Sequence, residues 1–410
     1  MKRLNSNFCA TTIKLYKSSS TFLKACFIHL AITLTYCTPT AASIDTISIP
    51  SPNFHQVRKV YIKTPDNKKY ASDKVKYPVL YLLDAQQEWL TNPLLSEIEY
   101  LQYTHDIPQM IIVMVPLVNR EKECREGLQD REKSPLLEFL MMETEAALQS
   151  YNPSGLRILL GHSFSASFAL SAYLKKPDFF DIVIAHSPID RLESLLLQFD
   201  TAYADKTTIP AYLSFGSTHS SKDYWHRTIF NELKTKHQSV MNKLHIITSD
   251  VASHTSVPLI TTPEILSKIF LPFSLRFDPI GKIDNEYKLL EKPGTTNELL
   301  TEINNNSTLY DEFYPPEIAE INGIGSRFYE NGYMDHALAV WEEIGLNYYP
   351  NYYEFHLNVG ELYLKKNPEK AALHLKIARL LIEDANMPVT EKAELLEAIR
   401  KMNAESQHKN

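Results

Sequence analysis

Short apolar runs alternate with helical patterns between residues 43 and 275 of the chain. Several of these runs are apolar on both faces, which is typical of parallel strands covered by helices on both sides. Helical patterns fall between them, notably at 134–150, 164–174 and 228–243. The alternation predicts an α/β fold with a largely parallel central sheet. The predicted strands are 57–62, 78–83, 110–115, 156–160, 182–185, 211–215 and 244–248.

The pattern changes after residue 275. Residues 276–310 are polar and show no sustained period, which predicts a linker. Residues 311–402 have a helical pattern, and a short tail follows at 403–410. The chain is therefore expected to contain an α/β domain at 43–275 and a small all-α region after the linker.

The helical region at 311–402 partly repeats itself. A shift of 35 positions places Ile324 and Gly325 over Val359 and Gly360. A period near 34 residues, with small residues where helices cross, predicts tetratricopeptide-like helix pairs. The alternative is an ordinary helical appendage. Two units are fewer than such repeats need to stand alone, so this region should lean on the α/β domain or gain a further helix at its end.

The first 42 residues have the pattern of a secretory signal. Five Lys and Arg side chains lie in this segment and no acidic residue precedes Asp45, while 25–37 is mostly apolar and 40–42 is small. We therefore expect a periplasmic or secreted protein without a stable membrane span in the mature chain. An uncleaved membrane anchor is the alternative. Three of the four cysteines lie in this leader, so the mature chain, which keeps only Cys124, cannot form an internal disulfide.

Composition narrows the classes of partner. The 410 residues are 44% hydrophobic and 22% charged, values ordinary for a globular protein long enough for two folded units. The net charge is −7 and no basic tract is present, which argues against a nucleic-acid partner. No cluster of cysteines is present that could hold zinc.

One strand-to-helix junction carries candidate chemistry. Gly161-His162-Ser163-Phe164-Ser165 follows an apolar run and precedes an amphipathic helical pattern. A serine hydroxyl becomes a useful nucleophile when a tight turn exposes it and a base accepts its proton. Ser163 is therefore the candidate nucleophile. The usual motif has glycine where Ser165 stands.

The base and the acid should follow in that chain order. His254 lies in the loop after the last predicted strand and is the candidate base. The loop after 211–215 should supply the acid, and Asp223 is its first carboxylate. Glu232, Asp250 and a site with Ser and His alone remain alternatives, and a helix cap is the structural reading of Asp223.

Backbone N–H groups must also stabilise the negative charge of the transition state. The N–H of Phe164, directly after the nucleophile, is the first candidate donor. The second should come from the loop after 78–83, where Gln86 is preferred and Ala85 is the alternative.

These segments together resemble the esterase D family, which includes S-formylglutathione hydrolases, enterobactin-type siderophore esterases and mycolyltransferases. The resemblance runs from about residue 54 to 273 and rests on 77–84, 161–165 and 254–258. The family usually has glycine where Ala85 stands, and its acid commonly follows the position of Gly216 more closely. Some members also carry a tetratricopeptide-like region after the hydrolase domain.

The resemblance implies hydrolysis of a carboxylic ester through an acyl-enzyme, without a metal or organic cofactor. A siderophore or another small ester is the expected substrate. Acyl transfer from the same site is one alternative. Another is a non-catalytic hydrolase fold whose helical region, 311–402, binds a protein partner.

Overall fold

The computed structural model describes residues 44–129 and 134–407, with side chains to residue 404. The predicted signal at 1–42 lies outside the described residues. An eight-stranded sheet has the order β1-β2-β4-β3-β5-β6-β7-β8. Strands β3 to β8 are parallel to one another. At one side of the sheet, β2 pairs antiparallel with β4, and β1 pairs antiparallel with β2. The strands are β1 Ile44–Ser51, β2 Gln56–Lys63, β3 Tyr77–Leu83, β4 Ile111–Val115, β5 Pro153–His162, β6 Ile182–His186, β7 Ala211–Phe215 and β8 His245–Thr248.

The predicted α/β-hydrolase sheet is confirmed, and β1 is the strand that the apolar pattern did not predict. Strand β1 forms the edge of the sheet and pairs only with β2. Its sequence alternates apolar and polar residues, and most of it is exposed or half-buried. An edge strand of this kind lacks the continuous apolar run that marks the buried strands.

Helices cover both faces of the sheet. One face packs against helices that include Phe164–Lys175 and Leu192–Ala202, and the other packs against Glu88–Tyr103 and Val257–Ile269. The remaining helices of this part are Arg120–Gly127, a helical segment at 135–151, Tyr224–Lys236, Gln238–Met241 and Leu271–Ser274, with a 3-10 turn at Asp66–Tyr70.

The segment predicted as a linker, 276–310, contains the helix Thr296–Asn306. A capping box between Thr295 and Glu298 begins this helix, and Leu299 and Ile303 bury its apolar side. Because only these two side chains are buried, its apolar pattern is too sparse to stand out in the sequence. The predicted tail, 403–410, likewise begins inside a helix that runs to Gln407. The placement of the domain boundaries stays a prediction.

Two helix pairs follow. Gly325 lies against Trp341 in the first pair, and Gly360 lies against Leu375 in the second. Each glycine stands where a Cβ atom would meet the partner helix, as the predicted repeat requires. The tetratricopeptide-like classification stays a prediction. The helices are Ile318–Glu330, Met334–Ala339 continued to 348, Tyr353–Tyr363, Pro368–Asp384 and Val389–Gln407.

These helices pack against the end of the sheet at which the parallel strands begin. The N–H of Gln109, before β4, donates to Glu317 at 2.7 Å. The N–H of Gly155, at the start of β5, donates to Glu312 at 2.6 Å. Apolar side chains of the helices join the core of the α/β part. The loops that follow the strands lie at the opposite end of the sheet. None of the described helices is long and apolar enough to cross a membrane.

Candidate active site

Ser163 occupies a strained turn between β5 and the helix Phe164–Lys175. Its φ of 61° and ψ of −116° lie outside the regions that residues with side chains prefer. A Cβ atom on Gly161 would stand 2.4 Å from the carbonyl oxygen of Ser165. Strand and helix can therefore approach this closely only because residue 161 is glycine. The turn leaves Ser163 half-buried at the end of β5, as a nucleophile needs.

Ser165 has a role beyond its small size. Its hydroxyl lies 2.6 Å from Asp84 Oδ2 and accepts the N–H of His162 at 2.8 Å. Asp84 is fully buried and forms a bidentate pair with Arg120, at 2.6 and 2.9 Å. Arg120 also donates to the carbonyl of His162 at 2.7 Å. These bonds join the loop after β3 to the turn that carries Ser163, a network that the sequence did not reveal.

His254 and Asp223 are in direct contact. His254 Nδ1 lies 2.8 Å from Asp223 Oδ1. Because a carboxylate can only accept, Nδ1 of His254 carries the proton and Nε2 keeps the lone pair that a base needs. Among the described residues no hydrogen bond joins the Ser163 hydroxyl to His254, which is common in sites without substrate.

Asp223 is the buried carboxylate beside the base. It stands at the N-cap of Tyr224–Lys236, but its side chain makes no capping bond. Asp250 is exposed and lies 3.8 Å from Arg227, and Glu232 is also exposed. The structure therefore brings Asp223 into contact with His254. It does not bring either alternative acid, Asp250 or Glu232, to the base.

Four donors surround the Asp223 carboxylate. Besides His254, the hydroxyl of Ser187 donates at 2.6 Å and the N–H of Gly216 at 2.7 Å, while His226 Nδ1 lies 3.1 Å away. Burial alone would raise the pKa of Asp223, but these hydrogen bonds outweigh burial and hold it well below its usual range. The carboxylate therefore stays charged next to the base throughout the neutral and mildly acidic range.

His162 and His186 are buried, and both stay neutral. Burial, aided by the charge of His254, lowers the pKa of His162 to about 3. Burial likewise lowers the pKa of His186 to about 3. His162 Nε2 donates to the backbone carbonyl of His254 at 2.8 Å, so it supports the loop of the base. Neither residue can replace His254 as the base, in agreement with the chain order.

The candidate oxyanion donors lie on two loops at the same edge of the sheet. In the loop after β3, the N–H of Ala85 donates to Val115 at 3.2 Å and that of Gln87 donates to Asp84 at 2.8 Å. The N–H groups of Gln86 and Phe164 have no acceptor among the described residues. Because Ala85 is already bonded, the geometry favours Gln86 over Ala85 as the second donor.

His226 is the site residue that the sequence analysis missed. A histidine before the last strand comes too early in the chain to be the base, and the structure does not place it as one. It lies three residues after Asp223 in the first turn of a helix, where i and i+3 side chains share a face. This spacing was the available signal. The His226 ring stacks on the His254 ring with centroids 4.0 Å apart and an interplanar angle of 23°.

Asp223, His226 and His254 also place three potential metal ligands within 4.8 Å of one another. In this structure the same groups contact one another directly: His254 Nδ1 is hydrogen-bonded to Asp223 Oδ1 at 2.8 Å, and His226 Nδ1 lies 3.1 Å from the same oxygen.

Comparison with known proteins gives a family for this site. Residues 51–249 match the family model described as "Putative esterase". This segment is similar to that family and spans just under half of the chain. The match covers the candidate nucleophile and acid and ends just before the loop of His254. The predicted resemblance to an esterase family and the predicted carboxylic ester hydrolase are thereby confirmed.

Solved structures share the fold of this chain. An IroE-like serine hydrolase from Shewanella oneidensis is 16% identical, with a TM-score of 0.53 over 73% of this chain and 98% of that chain. An uncharacterised protein from Capnocytophaga ochracea is 17% identical, with a TM-score of 0.51 over 88% of this chain and 100% of that chain. A comparison with curated proteins finds no match.

Proposed function

We propose that the chain is an exported serine esterase that hydrolyses a small carboxylic ester through an acyl-enzyme. The observation that carries this proposal is the pairing of Asp223 with His254 at 2.8 Å, with the His254 ring 4.6 Å from that of His162, the residue before Ser163 in its strained turn. Ser163 attacks the ester carbonyl and His254 takes its proton. The N–H groups of Phe164 and Gln86 then stabilise the oxyanion.

The same groups complete the reaction. Protonated His254 gives its proton to the leaving alcohol, and Asp223 stabilises the imidazolium while it exists. Water then attacks the acyl-enzyme, and His254 takes a proton from the water. Collapse of the second tetrahedral intermediate releases the acid and returns the proton to Ser163. Export rests on the signal pattern at 1–42 alone.

Exposed apolar side chains follow the strands at the same end of the sheet as the proposed site. Large hydrophobic residues that follow β3, β4, β7 and β8 are exposed to between 39% and 76%. Exposed apolar patches of this kind commonly mark binding surfaces. They support an ester with an apolar part, and a siderophore ester or another small ester would meet that condition. These residues are Trp89, Val118, Tyr224, Trp225 and Val251.

A fluorophosphonate probe tests the proposal directly, because it reacts only with an activated serine. We expect stoichiometric labelling of the wild-type protein and none of Ser163→Ala. Ser167→Ala is the matched control, because Ser167 lies one helical turn after Ser163 and is fully buried. Labelling of Ser163→Ala, or none of the wild type, would refute the proposed nucleophile.

Turnover of p-nitrophenyl esters then measures the chemistry. We expect kcat/KM to rise with the length of the acyl chain, since the surrounding surface is apolar. Hydrolysis should dominate even when alcohols are added. A product that carries the acyl group on the added alcohol would instead indicate acyl transfer.

A further inference from the structure

We propose that His226 is a positioning residue that shares the Asp223 carboxylate with His254 and weakens the site when His226 becomes protonated. The inference rests on the proposed function, because it assigns Asp223 and His254 to the reaction. The observation behind it is the shared oxygen: Asp223 Oδ1 lies 2.8 Å from His254 Nδ1 and 3.1 Å from His226 Nδ1.

The neutral form of His226 supports the base in two ways. Its Nδ1 lies 3.1 Å from Asp223 Oδ1, so the ring stands against the carboxylate that faces His254. Its ring also stacks on the His254 ring, with centroids 4.0 Å apart, which limits tilting of His254 in that direction. The ring of His162 lies 4.6 Å from that of His254. The base therefore contacts two imidazole rings and is oriented by one carboxylate.

The charged form of His226 has the opposite effect. The transition state requires a positive charge on His254, stabilised by Asp223. A proton on His226 places a like charge one ring away, and this charge competes with His254 for the negative charge of the same carboxylate. Both effects disfavour the imidazolium of His254. The conflict therefore arises only when His226 carries a proton.

Other charged groups near His226 are already paired with one another. Arg227, the next residue on the helix, donates to the carbonyl of Gly216 at 3.1 Å and lies 3.8 Å from Asp250. His162 faces His254 and stays neutral because it is buried. Within the described residues, Asp223 and His254 are the titratable groups in direct contact with His226. The charge of His226 therefore acts mainly on these two residues.

His226→Asn separates positioning from charge, because the amide can still donate to Asp223 but cannot gain a proton. We expect the acidic limb of log kcat/KM against pH to be steeper than one proton in the wild type and to have a slope of one in the variant. At pH 5, the variant should keep about fivefold more of its own pH 8 activity than the wild type. His237→Asn, the same change just past the other end of the same helix, should behave as the wild type.

A titration that needs no turnover tests the same coupling. With selectively ¹⁵N-labelled histidine, NMR spectra of the wild type should show His226 and His254 titrating as a coupled pair, with two apparent steps. In His226→Asn the His254 curve should become a single step. Independent single-step curves in the wild type would overturn the inference, whether or not the protein hydrolyses esters. Normal turnover with identical acidic limbs in wild type and variant would overturn it while leaving the esterase intact.

Discussion

Asp223 combines burial with four hydrogen-bond donors, and this combination decides its chemistry. Carboxylates with several donors stay ionised even where burial opposes charge. A charged Asp223 fixes the His254 tautomer that leaves Nε2 free to accept a proton. The backbone also contributes, since the N–H of Gly216 is one of the donors.

Replacing Asp223 by Asn should lower kcat on the order of a thousandfold, because the amide favours the wrong tautomer of His254. Steady-state turnover at pH 8 measures this, with Asp250→Asn as the matched control on the exposed alternative acid. A loss below about tenfold would leave a Ser and His pair as the working site.

The same variant has a pH signature in its stability. The pKa of Asp223 is lower in the folded protein than in the unfolded chain. Its stabilising contribution is therefore present above the unfolded pKa of about 4 and is lost as pH falls through the lower folded value. Urea unfolding should show the largest difference between wild type and Asp223→Asn above about pH 4 and a shrinking difference below it.

Single residues mark the boundary between what the sequence predicts and what it does not. Ser163 and His254 follow from chain order because the fold fixes the sequence of roles along the chain. The sequence could propose Asp223 as the acid but could not distinguish it from the other carboxylates, since the path of the loop from 216 to 223 decides which carboxylate reaches the base. His226 was missed because its spacing of three from Asp223 indicates a shared helix face but not the stacking of its ring on His254, which only the tertiary fold brings about.

At the scale of elements, the junction of β5 with its helix carries the tightest geometric demand. Gly161 has no room for a side chain because the backbone of Ser165 and Ala166 lies within 2.8 Å of a Cβ position. A side chain there must push the helix away from the strand, and Ser163 moves with it.

Gly161→Ala should therefore lower the free energy of unfolding by about 2 kcal/mol and kcat about a hundredfold, through displacement of the nucleophile. Gly323→Ala is the matched control, because a Cβ atom there meets nothing within 4 Å and the position is helical. That change should stabilise the protein by about 0.5 kcal/mol or more. Equal effects of the two substitutions on kcat would contradict the packing argument.

Elements were predictable where burial gives a continuous pattern. Seven of the eight strands of the sheet follow from apolar runs, and β1 does not, because an edge strand shows half of its residues to solvent. The helix Tyr224–Lys236 begins four residues before its predicted start at 228. Its first turn carries His226 toward the site. The helical pattern in the sequence begins only after this turn, so the pattern did not place His226 in the helix.

For the whole molecule, the helices after residue 310 and the α/β part share one hydrophobic core. The buried Arg276 joins them by bonds to the carbonyl of Tyr314 at 2.8 Å and to the carboxylate of Glu320 at 2.9 Å. Burial raises the pKa of Glu320, which Arg276 opposes by pairing with it. Removal of Arg276 would leave that acid without its cation.

Arg276→Met should therefore lower the free energy of unfolding by about 3 kcal/mol or more, while kcat of the folded enzyme stays unchanged. Arg379→Met removes a solvent-exposed pair with Glu383 and should change stability by less than about 1 kcal/mol. Denaturant unfolding followed by circular dichroism, together with ester turnover in buffer, measures both quantities. A large fall in kcat for Arg276→Met would show that the helices influence the chemistry directly.

The placement of the helices where the strands begin, with the catalytic loops where the strands end, has a practical consequence. A carrier surface linked to the helical end would leave the entrance to Ser163 facing the solution. The same surface linked to the loop of residues 249–256 would obstruct it. Attachment and catalysis can therefore be separated in this molecule by the choice of which end of the sheet is held.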